Sequence, residues 1–268
     1  MASYGIALLA LIPMRKNPNE SSEMVSELMF GEVFSILKED GSWAFIENKF
    51  DFYHGWIDRA MITEISEAEA DALINSPVYI VRNPLTDIKC KGDNSPFRIS
   101  MGSVLPGYIP NKNSFTVAER TFKINSNQVV RFELGHLKSL LRTASLYMHT
   151  PYLWGGRSIM GADCSGFVQS VYRLNGVALP RDADQQCLLG EPIKGIENSY
   201  PGDLVFFENS LGNVVHVGMM FTKDMMIHCS GSVHLSKITN EGYWSDLLND
   251  YVKRKPIIRR FNEIERKR

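Results

Sequence analysis

The sequence predicts an α+β protein in which small all-β modules come first and a mixed domain, helices ahead of an antiparallel meander, comes last. Three observations point there. Short apolar runs separated by turn residues fill the first half of the chain, helical spacing sets in near residue 133, and period-two strands follow to residue 238. With 268 residues and 44% hydrophobic content, the chain has room for two or three modest domains with real cores. A net charge of −1 gives no reason to expect nucleic acid or an anionic membrane as partner.

Residues 1–75 read as a first β module with a linking helix. Strands are expected at 6–13, 31–37, 43–47 and 55–57, with a polar loop at 16–22, a turn at Glu39-Asp40-Gly41 and a Glu- and Ala-rich helix at 66–74. Residues 76–132 read as a second, looser module, with short strands at 78–81, 97–99, 103–106, 116–118 and 121–124 and a loop at 91–96. Tyr108 and Phe115 belong there to core or surface rather than to a ligand site. Residues 133–268 form the third domain. Leu137, Leu140, Leu141, Ala144, Leu146 and Met148 mark an amphipathic helix. A loop at 151–156, a helix from Cys164, a turn at Pro180 and strands at 202–208, 214–222 and 225–238 follow. The basic tail, 253–268, reads as a solvated terminus. No run is long enough to span a bilayer, and the run 6–12 lacks the flanks of an export signal.

Cys90, Cys164, Cys187 and Cys229 are scattered and form no CxxC pair, so neither a zinc site nor a disulfide framework is expected. Cys164 falls where a loop turns into a helix marked by Phe167, Val168, Val171, Tyr172 and Leu174 and closed by Gly176. Backbone N–H groups at such a start favour a thiolate, and a nearby imidazole adds to the effect. Alternation along 214–222 puts His216 and Gly218 on one face, and Met226, His228 and Ser230 share a face of the next strand. Two adjacent strands then hold His216 and His228 side by side, with small Gly218 leaving room. One histidine alone would read as a core or surface residue. The pair behind a helix-start cysteine points to a thiol hydrolase, with Cys164 as nucleophile, His216 as base and then acid, and His228 orienting His216. The Cys164 N–H and a Tyr152 hydroxyl are candidate oxyanion donors, with hydrophobic packing an equal alternative for Tyr152 and Trp154. No metal or organic cofactor is expected, because the histidines lack a third ligand at metal spacing.

The strings PYLWGGRS, GADCSGFVQSVYRLNGVALPRDADQQ, YPGDLVFF, HVGMMF and MIHCSG follow one another between residues 135 and 240. This region resembles the NlpC/P60 family of papain-like cysteine peptidases. The resemblance implies a papain-like catalytic domain at 133–268 with Cys164, His216 and His228 as its triad. Upstream, Ser22-Glu23-Met24-Val25, Phe30-Gly31-Glu32 and Phe52-Tyr53-His54-Gly55-Trp56-Ile57 resemble a bacterial SH3-like module. The implied architecture is an SH3-like domain at 1–75, a degenerate second one at 76–132, and the peptidase domain. Such modules precede the catalytic domain in the γ-D-glutamyl-L-diamino acid endopeptidases (dipeptidyl-peptidase VI type), where the first module caps the active site. By that resemblance Tyr53 belongs to the substrate wall and Glu23 to the pocket for the substrate's amino terminus. Tyr152, Trp154, Asp163, Ser165, Arg181 and Asp182 are the other implied substrate-binding positions. Asp182 reads otherwise as a turn or helix cap, and Ala183 stands where that subfamily more often has serine.

The function implied is hydrolysis of the bond between γ-D-glutamate and L-Lys or meso-diaminopimelate in free murein peptides with an unblocked L-Ala, for cell-wall recycling. The expected agent is a cytoplasmic monomer without cofactor, nucleic-acid partner or membrane partner. Where a signal peptide has been removed, the location is instead periplasmic or exported. The alternative enzyme is a hydrolase of intact peptidoglycan with the SH3-like modules as wall anchors. A wall-binding module with a degenerate peptidase domain is disfavoured by the complete Cys/His/His set, and an acyltransferase by the Arg181-Asp182 pair.

Overall fold

The alternating apolar runs at the start of the chain fold into one antiparallel sheet. The computed structural model describes residues 3–93, 95 and 97–263. Its first seven strands lie in the order Met24–Met29, Leu11–Arg15, His54–Asp58, Trp43–Asn48, Val33–Asp40, Ser3–Ile6, Thr63–Ile65. Register pairs Phe45 with Trp56 and Ile46 with Gly55, so Ala44, Ile46 and Ile57 turn inward onto Ile12, Leu28 and Phe34. The run 6–13 is two strands rather than one. At Ala7 the chain leaves its neighbour to bond the turn at Gly31 and Glu32, and it resumes at Leu11 against Met24–Met29. That partner strand was not anticipated, because Ser26 and Glu27 interrupt its apolar pattern although both are buried.

Ser66 caps the linking helix Glu67–Ile74 by accepting from the Glu69 backbone N–H at 3.2 Å. A second sheet follows in the order Phe97–Ser100, Leu85–Cys90, Arg120–Lys123, Ser114–Val117. The segment expected as a strand at 103–106 contributes only an isolated bridge, Ile80 to Val104. Of the loop at 91–96, positions 94 and 96 lie outside the described residues.

Met1–Phe132 form one compact unit, in which the first sheet has an apolar cluster of its own around Ile12, Leu28 and Phe34 and a second cluster crosses the division expected at 75/76. Ile6, Leu8, Phe30, Ile65 and Ala70 pack in one cluster with Val81, Ile88, Ile99, Leu105, Phe115 and Phe122. Phe30 is the pivot: its ring meets Phe97, Phe115 and Phe122 edge-on at centroid distances of 5.7, 6.1 and 5.5 Å. Tyr108 and Phe115 are both buried in this cluster.

The second unit, Glu133–Arg268, packs helices against an eight-stranded antiparallel sheet. The sheet order is Glu191–Ile193, Ile257–Arg260, Leu204–Glu208, Val214–Met220, Met225–Ser230, Ser232–Thr239, Gly242–Ser245, Asp250–Val252. Every residue of the helix Cys164–Arg173 is buried, and the helix packs on Val214–Met220 and Met225–Ser230. The helix Leu137–Leu146 lies beside it.

Two expectations fail here. The run 225–238 is a hairpin that reverses at Gly231, where φ is 74°, a value glycine reaches at little cost. The basic tail is no solvated terminus. Ile257–Arg260 inserts between Glu191–Ile193 and Leu204–Glu208, and Arg260 pairs with fully buried Asp203 at 2.7 Å. Ile258 and Phe261 supply buried apolar anchors that the surrounding charges conceal in the sequence. Residues 264–268 of that tail lie outside the described residues. Among the described residues no helix is long and apolar enough to cross a membrane.

Because Phe30 is fully buried in the cluster that joins both leading sheets, Phe30→Ala is expected to cost about 3–5 kcal/mol. Denaturant unfolding followed separately by tryptophans 43 and 56 and by a probe in the 85–123 sheet should show the two sheets losing structure in a single shared transition.

Candidate active site

Asp163 determines where the cysteine helix starts. Its Oδ1 accepts from the Gly166 backbone N–H at 2.7 Å, which makes Asp163 the N-cap and Cys164 the first helical residue. The same carboxylate accepts from the Gly155 N–H at 2.9 Å, the Ser165 hydroxyl at 3.2 Å, and both Arg181 Nη groups at 3.1 and 2.5 Å. Arg181 also donates to Ser165 Oγ at 2.9 Å. Asp163, Ser165 and Arg181, expected as substrate contacts, are all buried and turn their polar atoms on one another. A carboxylate already taking this many donors has little capacity left for a ligand. The three build the ground beneath Cys164.

Strand alternation places the histidines. Gly218 lies opposite His228 in the ladder, and a Cβ on Gly218 would stand 3.0 Å from the Cβ of His228. Glycine there gives His228 room to lean toward His216. The outcome is a direct bond, His216 Nε2 to His228 Nδ1, at 2.7 Å. Nδ1 of His216 is therefore the nitrogen left for the thiol. The Val217 backbone N–H bonds the Cys164 sulfur, which sets the sulfur against the residue that follows His216 in the strand. Phe207 and Tyr243 stack on the His216 ring at 6.1 and 5.8 Å. The far nitrogen of His228, Nε2, meets Ser236 Oγ at 2.9 Å. Phe207, Tyr243 and Ser236 escaped the sequence reading. Ser236 had a signal: once the chain turns at Gly231, parity returns His234 and Ser236 to the face that carries His228.

A helix-start cysteine, a linked histidine pair and a leading SH3-like sheet invite comparison with known proteins. The NlpC/P60 family matches residues 149–253, and the bacterial dipeptidyl-peptidase SH3 domain matches residues 14–62. The chain carries an NlpC/P60 domain, preceded in sequence by a bacterial dipeptidyl-peptidase SH3 domain. It is 27% identical over 242 residues to the γ-D-glutamyl-L-lysine dipeptidyl-peptidase of Bacillus subtilis, covering 83% of this chain and 78% of that protein. To dipeptidyl-peptidase 6 of Lysinibacillus sphaericus it is 25% identical over 248 residues, 84% of this chain and 87% of the relative. The crystal structure of an NlpC/P60 family protein from Bacillus cereus superposes with a TM-score of 0.80 at 19% identity, over 96% of this chain and 99% of that one. The fold is thus that of the family, whose peptidases are cysteine peptidases.

Burial dominates the electrostatics of the NlpC/P60 site. It pushes the Cys164 thiol up to about 11, aided by the charge of Asp163. The N–H groups of Val217 and Ser165 and the charge of Arg181 pull the other way and do not prevail. The helix start alone therefore does not make the resting thiolate that the sequence reading favoured. Burial likewise holds His216 down, to about 4, with the charge of Arg254 and the neighbouring His234 adding to it. His228, fully buried, is also held well below its usual range by desolvation and then by its neighbours His216 and His234. Burial thus favours the neutral thiol and the neutral imidazoles alike. Among the described residues no three His, Cys, Asp or Glu side chains group so as to hold a metal ion.

The remaining sequence candidates separate by position. Tyr152 is tied by its N–H to Gly231 O at 2.9 Å, and burial followed by Cys164 raises its hydroxyl pKa, so it is a neutral donor. Trp154 is 59% exposed, which removes core packing as its explanation. Asp182 occupies the N-cap position of the short helix Ala183–Cys187 without capping it through its side chain, and it is half-buried. Tyr53 and Glu23 belong to the first unit. There Tyr53 packs against the apolar core of its sheet and Glu23 pairs with Lys16 at 3.2 Å.

Two outcomes follow for the NlpC/P60 domain. Arg181→Ala strands a buried carboxylate and is expected to cost about 3–5 kcal/mol in denaturant unfolding. Second, His216 and His228 titrate lower in the folded chain than in the unfolded one, so below pH 6.5 the unfolded chain takes up protons that the folded one refuses. Stability present above pH 6.5 is then lost as pH falls toward 4. Melting temperature recorded between pH 7 and 4 should fall, and His216→Asn should flatten that slope.

Proposed function

We propose that this cysteine peptidase hydrolyses the bond between γ-D-glutamate and L-Lys or meso-diaminopimelate in short, free murein peptides that begin with an unblocked L-Ala. The observation that carries the chemistry is the bond between His216 and His228 beneath a helix-start cysteine. Support for the substrate comes from the relatives named as γ-D-glutamyl-L-lysine dipeptidyl-peptidases, whose likeness extends over 83% of the chain and so across both matched domains.

In this reading Cys164 Sγ attacks the γ-carbonyl of D-glutamate while its proton passes to His216 Nδ1. The developing oxyanion takes hydrogen bonds from the Cys164 N–H and the Tyr152 hydroxyl. His216 returns the proton to the leaving amine of the diamino acid, and L-Ala-D-Glu remains as a thioester. Water, deprotonated by His216, releases the dipeptide and restores the thiol. His228 receives His216 Nε2–H throughout, which steadies the imidazolium between the two transfers. Asp182, a carboxylate that does not cap its own helix, holds the substrate's α-ammonium. Cytoplasmic recycling is the setting proposed, in keeping with the reading of the cysteines as reduced thiols.

Mass spectrometry of a digest of L-Ala-γ-D-Glu-L-Lys and of its meso-diaminopimelate counterpart should show L-Ala-D-Glu. Cys164→Ala should abolish it. Acetylating L-Ala should lower kcat/KM more than tenfold, since it removes the positive charge that half-buried Asp182 holds in this reading. Equal turnover of acetylated peptide would remove the ammonium clamp, and solubilisation of purified sacculi would favour the wall hydrolase instead.

A further inference from the structure

We propose that Ser236 is a positioning residue of the peptidase, fixing the tautomer of His228 and through it that of His216. The inference rests on the reading of Cys164, His216 and His228 as the reacting set, and it adds a fourth member that acts through the third. Ser236 is 2% exposed and His228 wholly buried, so neither ring nitrogen of His228 can turn to solvent for a partner. Nδ1 of His228 faces His216 Nε2 at 2.7 Å, and Nε2 faces Ser236 Oγ at 2.9 Å.

A neutral imidazole carries one N–H and one bare nitrogen, so these two bonds run in a linked direction. When Ser236 Oγ accepts from His228 Nε2–H, His228 Nδ1 is bare and accepts from His216 Nε2–H. His216 Nδ1 is then bare as well, ready for the proton of the thiol. Run backwards, with the proton on His228 Nδ1, the chain leaves His216 protonated on Nδ1, the position from which it cannot act as base. Ser236 Oγ supports the productive arrangement from the far end by accepting, whereas the reversed arrangement needs the same hydroxyl to donate to a bare His228 Nε2. Its placement is set by the ladder: Ser236 pairs with Met226 and His234 pairs with His228, so Ser236 sits diagonally one step along from His228 on the same face.

The test compares Ser236→Ala, Ser236→Val and Ser236→Thr in the full chain. Thr keeps the oxygen, and Val matches Thr in shape without it. Ring-nitrogen NMR shifts of His216 and His228, read without substrate, report the tautomers directly and stand apart from the choice of peptide. Wild type and Ser236→Thr should show His228 protonated on Nε2, whereas Ala and Val should move the proton toward Nδ1. On whichever stem peptide the wild type cleaves, Ala and Val should lower kcat about tenfold or more with KM little changed, and Thr should recover most of the rate. Unaltered ring shifts in Ala and Val, or equal losses in Thr and Val, would overturn the assignment. Should the wild type cleave no stem peptide, the ring shifts still decide it.

Discussion

The carboxylate of Asp163 ties three segments of the peptidase domain to one point. It caps the helix that begins at Cys164, bonds Gly155 in the loop that carries Tyr152 and Trp154, and grips Arg181, next to Asp182. In the proposed reaction each of these segments delivers a residue. A buried ion pair is a poor source of net stability, because desolvation offsets most of the attraction. Its value lies in direction. Asp163 and Arg181 meet through two oxygens and two nitrogens, and that fork fixes both distance and angle between the helix start and the 180s segment. A hydrophobic contact would hold the same segments together without saying where the sulfur points.

What rests on that ground is a chain of neutral groups. The helix start and the Val217 N–H draw the thiol toward ionisation, yet burial outweighs them, and the same burial keeps both imidazoles uncharged. A neutral thiol beside a neutral imidazole is the form a water-poor pocket favours. In the proposed reaction the demand then shifts from storing charge to aligning one proton path, and alignment in turn depends on which ring nitrogens are bare. Direction along Cys164, His216 and His228 matters more here than the ordinary acidity of any one of them.

Much of this was legible in the sequence because it follows from local periodicity. Helical spacing after Cys164 and parity along the two strands located the helix-start cysteine and the two histidines, and Gly218 announced the gap that His228 fills. The illegible parts have a common cause: burial of polar residues that the pattern assigns to solvent. Arg181, Asp163 and Ser165 are substrate contacts by the family resemblance alone, which does not reveal that their polar atoms turn on one another. Pairing lets them be buried instead. The strand Ile257–Arg260 was hidden the same way, since Arg260 reaches Asp203 and Arg259 reaches the Cys187 carbonyl. In the first unit the apolar runs gave many of the strands, but a core shared across two sheets leaves no mark on either half alone.

Ser236 shows most sharply where periodicity stops being informative. Along one uninterrupted strand from 225 to 238, residues 228 and 236 share a face but stand eight positions apart, more than 25 Å at strand rise. A single reversal at Gly231 brings them to 2.9 Å. Gly231 lies between two serines rather than in an Asn-Gly or Asp-Gly pair, so the turn carries no strong hairpin signature. The distance between a histidine and the oxygen that orients it thus depends on one backbone angle at a glycine that touches neither of them. Parity fixes which face a side chain occupies, but only the turn decides which residues on that face become neighbours, and in this domain the turn is what completes the site.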